Sequence, residues 1–326
     1  MLDLRTFYIN GTWSDPLEKN DHEVINPASE QVVATISLGT AADVDRAVSA
    51  ARKAFDSFGF SSLDQRLKLL ERLYEVYMDR YREMAEAISQ EMGAPIDFAG
   101  NNQAACGSGH LRAAIDALKE YEFEKQLATG RVVKEPIGVC GFITPWNWPI
   151  NQVACKTAPA LATGCSIVLK GSELSPLSSH LFTEMIHQAG YPAGVFNLVD
   201  GLGPEVGAAI SSHPDIDMVS FTGSTAAGIA VSKSAADSVK RVALELGGKS
   251  PNIILDHDNF AAAVRSGEAS CFRNSGQSCN APTRMLVPRS RYQEALDLAE
   301  SVAKDTKVGD PSQSGDHIGP VVSAVH

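Results

Sequence analysis

Residues 138–170 read GVCGFITPWNWPINQVACKTAPALATGCSIVLK, and this stretch decides the fold. It opens on a short apolar run, GVCGFI, crosses a proline-rich loop, takes on helical character through KTAPALATG and closes on a second apolar run, SIVLK. Two β-rich runs separated by a helix predict parallel strands joined by a crossover helix. The alternation continues downstream. PLSSHLFTEMIHQAG, PEVGAAISS and the residues after FTGST predict helices, while VFNLV, MVSF, VALEL and NIILD predict strands. The expected class is α/β, a doubly wound Rossmann-like parallel sheet, whose ligands bind at the carboxyl ends of the strands.

Working outward toward the N-terminus, a short extended start precedes a helical region from about Ala41 to Met92. AADVDRAVSAARKAF and LDQRLKLLERLYEVYMDRYREMAEAISQEMG both place apolar residues at three- and four-residue spacing, and Gly93 and Pro95 stop the second pattern. A third helix is expected from about Ala99 to Leu118. In YEFEKQLATGRVVKEPIG a turn at Thr129-Gly130 separates two strands, which predicts a projecting β-hairpin.

Bulk properties narrow the functional classes. The 326 residues suffice for two domains, and 44% hydrophobic with 21% charged residues is the composition of an ordinary folded protein. A formal net charge of −11 argues against a surface dedicated to nucleic acid. The six cysteines form no CxxC pair and no His/Cys cluster at zinc spacing, so no metal site is expected and reduced thiols in a cytoplasmic protein are the simpler reading. MLDLRTFYINGTW lacks a basic region followed by an apolar core, so no secretory signal is expected. The uncharged run from Pro136 to Cys155 is broken by Pro145 and Pro149 and makes a poor membrane span.

Five motifs carry chemistry. In FTGSTAAG, Phe221 to Gly228, a strand runs into a glycine turn and a helix, so free N–H groups and the helix dipole suit a pyrophosphate; an ordinary strand-to-helix turn has the same pattern. Lys170 and Glu173 in SIVLKGSELSP follow a strand and suit ribose hydroxyls, or are solvated surface charges. In PWNWP, Asn147 sits in a loop stiffened by Pro145 and Pro149, either as an oxyanion donor or as a turn residue. Glu245 in VALELGGKSPN lies between Leu244 and Leu246, which suits a partly desolvated general base or a solvent-facing residue of an edge strand. The last motif, RNSGQSCNAPTR, sets Cys279 in a polar glycine-containing loop, whereas Cys106, Cys140, Cys155, Cys165 and Cys271 have the apolar or small neighbours of buried thiols.

Taken together and in this order, PWNWP, LKGSELSP, FTGSTAAG, LELGGKSPN and NSGQSCNAPTR resemble the NAD(P)-dependent aldehyde dehydrogenase superfamily, from INPASEQVVATI to GPVVSAVH. The resemblance implies Cys279 as nucleophile, Glu245 as general base and Asn147 as oxyanion donor. It further implies Lys170 and Glu173 at the adenosine ribose, Ser224 with Gly223 and Gly228 at the pyrophosphate, and Gly203 and Trp146 on the cofactor surface. Glu173 favours NAD over NADP, because an acid repels a 2′-phosphate. Gly171 stands where many members have proline, which leaves that loop less constrained. The implied reaction oxidises an aldehyde to an acid through a cysteine hemithioacetal and thioester.

Trp148, Gln152, Cys155, Ser278 and Asn280 fall where relatives flank the aldehyde, and their mixture of aromatic and polar groups suits a substrate with a polar or heteroaromatic portion. The resemblance implies a dinucleotide-binding domain from 1–118 and 138–248, a bridging or oligomerisation hairpin at 119–137 and a partial catalytic domain at 249–326. Family members continue beyond GPVVSAVH, so a truncated chain that binds nucleotide or a partner without turnover is the alternative expectation. A homo-oligomer is the expected assembly of the family. A cysteine acyl-enzyme hydrolase without nicotinamide is disfavoured by the ribose and pyrophosphate motifs.

Overall fold

A computed structural model describes residues 1–326. The N-terminal stretch forms five strands, β1 (Leu2–Leu4), β2 (Phe7–Ile9), β3 (Thr12–Ser14), β4 (Asp21–Ile25) and β5 (Val32–Ser37). The helices α1 (Ala41–Phe58), α2 (Leu63–Asp79) and α3 (Tyr81–Met92) follow. Next, α4 (Ile96–Phe98) passes through a π-helical segment, Ala99–Ala104, into α5 (Ala105–Glu120). The expected hairpin is present as β6 (Glu124–Gln126) and β7 (Arg131–Val133), an antiparallel pair exposed along both strands.

The alternating region gives β8 (Val139–Ile143), α6 (Pro149–Thr163), β9 (Ser166–Lys170), α7 (Pro176–Ala189) and β10 (Phe196–Leu198). It continues with α8 (Ala208–Ser212), β11 (Met218–Gly223), α9 (Thr225–Ala236) and β12 (Arg241–Leu246). The strands lie in the order β12-β11-β8-β9-β10-β2-β3. The first five are parallel, and β2 and β3 extend the sheet antiparallel beyond β10.

Strand alternation explains why helices cover both faces. Cys140, Phe142, Ile167 and Leu169 enter the larger core with α2, α3, α5, α6 and α7. Their neighbours Val139, Ile143 and Val168 enter the other core with α1, α8 and α9. Side chains of period two on a sheet buried on both faces produce this division.

Past β12 the chain forms β13 (Pro251–Ile253), α10 (Phe260–Phe272), β14 (Arg284–Leu286) and α11 (Tyr292–Asp305). Strands β13 and β14 make a two-stranded parallel sheet with its own small core of Ile254, Phe260, Val264 and Ala295. Ile253, Leu255 and Leu286 on this unit are exposed. The segment after α11 returns to the N-terminal helices: Ile96 N–H donates to Pro311 O at 2.8 Å, and Gly315 N–H and the Ser314 hydroxyl both donate to Asp97 at 3.0 Å. No helix is long and apolar enough to cross a membrane.

Two expectations need correction. The short extended start is instead five strands, which both complete the main sheet and build the separate sheet β1-β5-β4. The helical pattern from Leu63 to Met92 is also not continuous. Arg80, with φ −106° and ψ 16°, ends α2 and begins α3, and its guanidinium holds Glu83 at 2.7 Å and Glu184 at 2.9 Å. Tyr77 and Met84 on either side enter the same core, so the apolar spacing survives a break that falls among polar residues.

Candidate active site

The parallel strands release their loops at one edge of the sheet, where α6, α7 and α9 begin. Asn147 lies in the loop after β8, Lys170 and Glu173 at the end of β9, Gly203 after β10, Gly223 and Ser224 at the end of β11, and Glu245 on β12. Cys279 reaches this edge from the second α/β unit. A cavity of about 440 Å³ there is lined by Cys279, Glu245, Asn147, Trp146 and Gly223. All three expected catalytic residues therefore share one cavity.

Cys279 is the exposed thiol among six free cysteines. Burial pushes the Cys106, Cys155 and Cys271 thiols up. Cys140, beside the Cys165 sulfur and buried, is also pushed up. The loop leading to Cys279 is left-handed at three successive residues, with φ of 56° at Asn274, 55° at Ser275 and 74° at Gly276. For a non-glycine residue this conformation costs about 1–2 kcal/mol. It persists because the surrounding groups hold it.

Buried Asn274 donates from Nδ2 to Asn147 O at 2.9 Å and Gln277 O at 3.2 Å. Gln277 Nε2 donates back to Asn274 O at 3.2 Å, and Gln277 Oε1 accepts from Val322 N–H at 2.9 Å. The Ser275 hydroxyl donates to Gly319 O at 2.9 Å.

Asn147 is tied to the same loop. Its Oδ1 accepts from Trp148 N–H at 3.1 Å and its Nδ2 donates to Gln277 O at 3.0 Å. An amide nitrogen carries two hydrogens, so one N–H is spent on orientation and the other is available at the cavity. The Cys279 N–H makes no hydrogen bond within the chain. The Trp148 indole donates to Ser278 Oγ at 2.8 Å, which anchors the residue next to the thiol.

Glu245 departs from one expectation. It is exposed, and β12 is an edge strand of the sheet, so the partial desolvation expected for it is absent. Leu246 lines the cavity beside Glu245 and packs against α9 at Gly228, but it leaves the carboxylate exposed.

Of the residues expected beside the aldehyde, Gln152 and Cys155 line this cavity and Trp148, Ser278 and Asn280 do not; the expected ribose and pyrophosphate residues other than Gly223 lie outside it. Lys170 is buried and its ammonium holds Glu173 at 2.8 Å, so the pair is not two solvated surface charges. Ser224 caps α9, its Oγ accepting from Ala227 N–H at 3.2 Å. A Cβ on Gly228 would stand 2.8 Å from Leu246 Cδ2, so glycine lets α9 lie close against β12. At Gly171 a Cβ would stand 2.6 Å from Ser179 Oγ, so the small residue lets the loop lie close against α7. Gly203 is exposed at the start of a π-helical turn, Gly203–Gly207.

Sequence reasoning missed several residues. Thr222 lines the cavity with a buried Oγ1 that has no partner. His110 and Asn151, joined at 2.8 Å, form part of its wall. Beneath it, buried Lys156 donates to Ser220 Oγ at 3.0 Å, and burial pushes its pKa down. The only sequence signal for Lys156 was a charge inside an otherwise apolar helix. Gln103 on the π-helical segment also reaches the cysteine loop, with no signal in its own neighbourhood.

The aldehyde dehydrogenase family profile matches residues 13–326. The 3-succinoylsemialdehyde-pyridine dehydrogenase of a Pseudomonas species is 54% identical over 326 residues, which cover 100% of this chain and 68% of that protein. Among solved structures, an aldehyde dehydrogenase from Bartonella henselae superposes with a TM-score of 0.96 at 50% identity, covering 100% of this chain and 69% of that one. Aldehyde dehydrogenase C of Pseudomonas syringae, solved as a mutant complexed with NAD+ and octanal, gives a TM-score of 0.96 at 51% identity, covering 98% of this chain and 66% of that one. The chain thus spans about two thirds of the length of the proteins it matches.

Proposed function

The chain belongs to the aldehyde dehydrogenase family, and from that premise we propose that it carries the nucleophile and base for NAD-dependent oxidation of an aldehyde to a carboxylic acid. The observation that supports this most is the single cavity shared by Cys279, Glu245 and Asn147. The Cys279 thiolate adds to the aldehyde carbon, and the oxyanion that forms takes hydrogen bonds from the free Asn147 N–H and the Cys279 backbone N–H. When bound, NAD supplies the acceptor for the hydride that this adduct gives up, leaving a thioester on the sulfur. Glu245 then takes a proton from water, which attacks the thioester; the acid leaves and the thiol is restored.

Residues at the carboxyl edge of the sheet fit a dinucleotide. Lys170 and Glu173 would hold the adenosine ribose, and Glu173 would favour NAD over NADP by charge. The N-terminus of α9, with Ser224 as its cap and Gly223 before it, would face the pyrophosphate. Gly228 keeps that helix close to the sheet. Trp146 and Gly203 would border the cofactor, and the unpartnered Thr222 Oγ1 is a polar group that a ligand could satisfy.

Residues 1–118 and 138–248 would form the dinucleotide-binding domain and 249–326 part of the catalytic domain. The hairpin at 119–137, whose two strands leave their outer edges unpaired, would bridge to another copy in a homo-oligomer. The cytoplasm is the proposed location. The relatives' names point to two substrate types, an aldehyde bearing a pyridine and a plain alkyl aldehyde. Both belong in the first assay.

The test is NADH absorbance from the purified chain with an aldehyde panel, expected for the parent chain and abolished in Cys279→Ala. Absence of NADH with every aldehyde, alongside calorimetric binding of NAD, would assign this chain nucleotide binding without turnover. A Cys279→Ala variant as active as the parent would remove the thiol from the reaction.

A further inference from the structure

We infer that Gln103 is a positioning residue for Cys279, acting through Asn274; this rests on the reading of Cys279 as the nucleophile. Gln103 is fully buried within the π-helical segment Ala99–Ala104, a helical irregularity of the kind that recurs at functional sites. Its Nε2 donates to Asn274 Oδ1 at 2.8 Å and lies 3.5 Å from Asn147 O.

The consequence follows from the chemistry of a primary amide. Asn274 has a donor end and an acceptor end of nearly the same shape, and a flip would exchange them. A donor from Gln103 on Oδ1 fixes the sense, so that Nδ2 faces Asn147 O and Gln277 O. Asn147 Nδ2 donates to the same Gln277 carbonyl. Two amide donors thereby fix the carbonyl two residues before Cys279, and Gln103 sets the direction of one of them.

Gln103 itself keeps a buried Oε1 without a partner. Turning its amide to satisfy that oxygen would withdraw the donor from Asn274. The left-handed Asn274-Ser275-Gly276 turn is the element that relaxes when the donor is lost.

The experiment compares the parent chain with Gln103→Met, which keeps the side chain's length and removes the donor. Because Cys279 is the exposed thiol, its alkylation by iodoacetamide can be followed by mass spectrometry across pH 6 to about 10, whether or not the chain turns over. The expected result is a displaced pH profile and alkylation slowed about tenfold at neutral pH, with NAD affinity unchanged. Where aldehyde oxidation is measurable, kcat falls and KM stays.

Gln103→Glu, of the same shape but without a donor when ionised, is expected to behave likewise. Superimposable alkylation profiles for parent and variants would overturn the inference even in an active enzyme. Loss of the folded state in both variants would make Gln103 a purely structural residue and overturn it as well. A parent chain that alkylates at Cys279 but oxidises no aldehyde would instead count against the proposed function, and the alkylation comparison would still decide the role of Gln103.

Discussion

Cys279 stood out in the sequence because reactive thiols need polar, accessible surroundings, and those surroundings are local: Asn274 to Asn280 are written side by side. Glu245 was legible as a candidate but not its environment, since exposure depends on which strand lies at the edge of the sheet. That exposure bears on its role. An exposed carboxylate lining the cavity is within reach of entering water, and if it is the base Glu245→Gln should accumulate the thioester. The expected outcome in stopped-flow absorbance is one burst of about one NADH per chain, followed by a steady rate lower by about 10²–10⁴. A steady rate equal to the parent would take the base role away from Glu245. Gln103 was illegible for a different reason. Its partner Asn274 is 171 residues away, and no pattern near Gln103 records that contact.

Among the elements, the crossover units were readable because buried parallel strands are short apolar runs and their helices are bounded by glycine and proline. The break at Arg80 was not, because both helices turn apolar faces to one core. The junction of α3 with α7 adds a feature that only burial creates. Glu91 on α3 is wholly buried and lies 3.3 Å from Ser178 N–H in the first turn of α7. Burial pushes its pKa up to about 8, hydrogen bonds from Ser178 and Leu177 offsetting only part of the effect.

The unfolded chain releases this proton near pH ~4.3, while the folded chain keeps it until about pH 8. Between those values the unfolded state binds fewer protons, so stability falls as pH rises. The contribution is complete below pH ~4.3 and lost above about 8. Melting temperatures from pH 5 to about 8 are expected to decline for the parent and to decline less for Glu91→Gln, which keeps an acceptor for Ser178 and cannot ionise. Parallel slopes in the two proteins would show that Glu91 does not control this dependence.

For the whole molecule, sequence alternation gave the layers but not the closure, because the five N-terminal strands are too short to announce their partners and the return of 310–322 is a loop without periodicity. The closure matters for when the site comes into being. The cysteine loop is held by Gln103, Asn147 and Val322, at separations of 171, 130 and 45 residues from their partners. Contacts between distant residues are assembled later than helices and neighbouring strands. After dilution from denaturant, far-UV circular dichroism should therefore recover before Cys279 regains its native rate of alkylation; simultaneous recovery would show that the loop is set by its own residues. A chain part-way through folding accordingly lacks the hydrogen-bonded setting of Cys279, which exists only once the fold has closed.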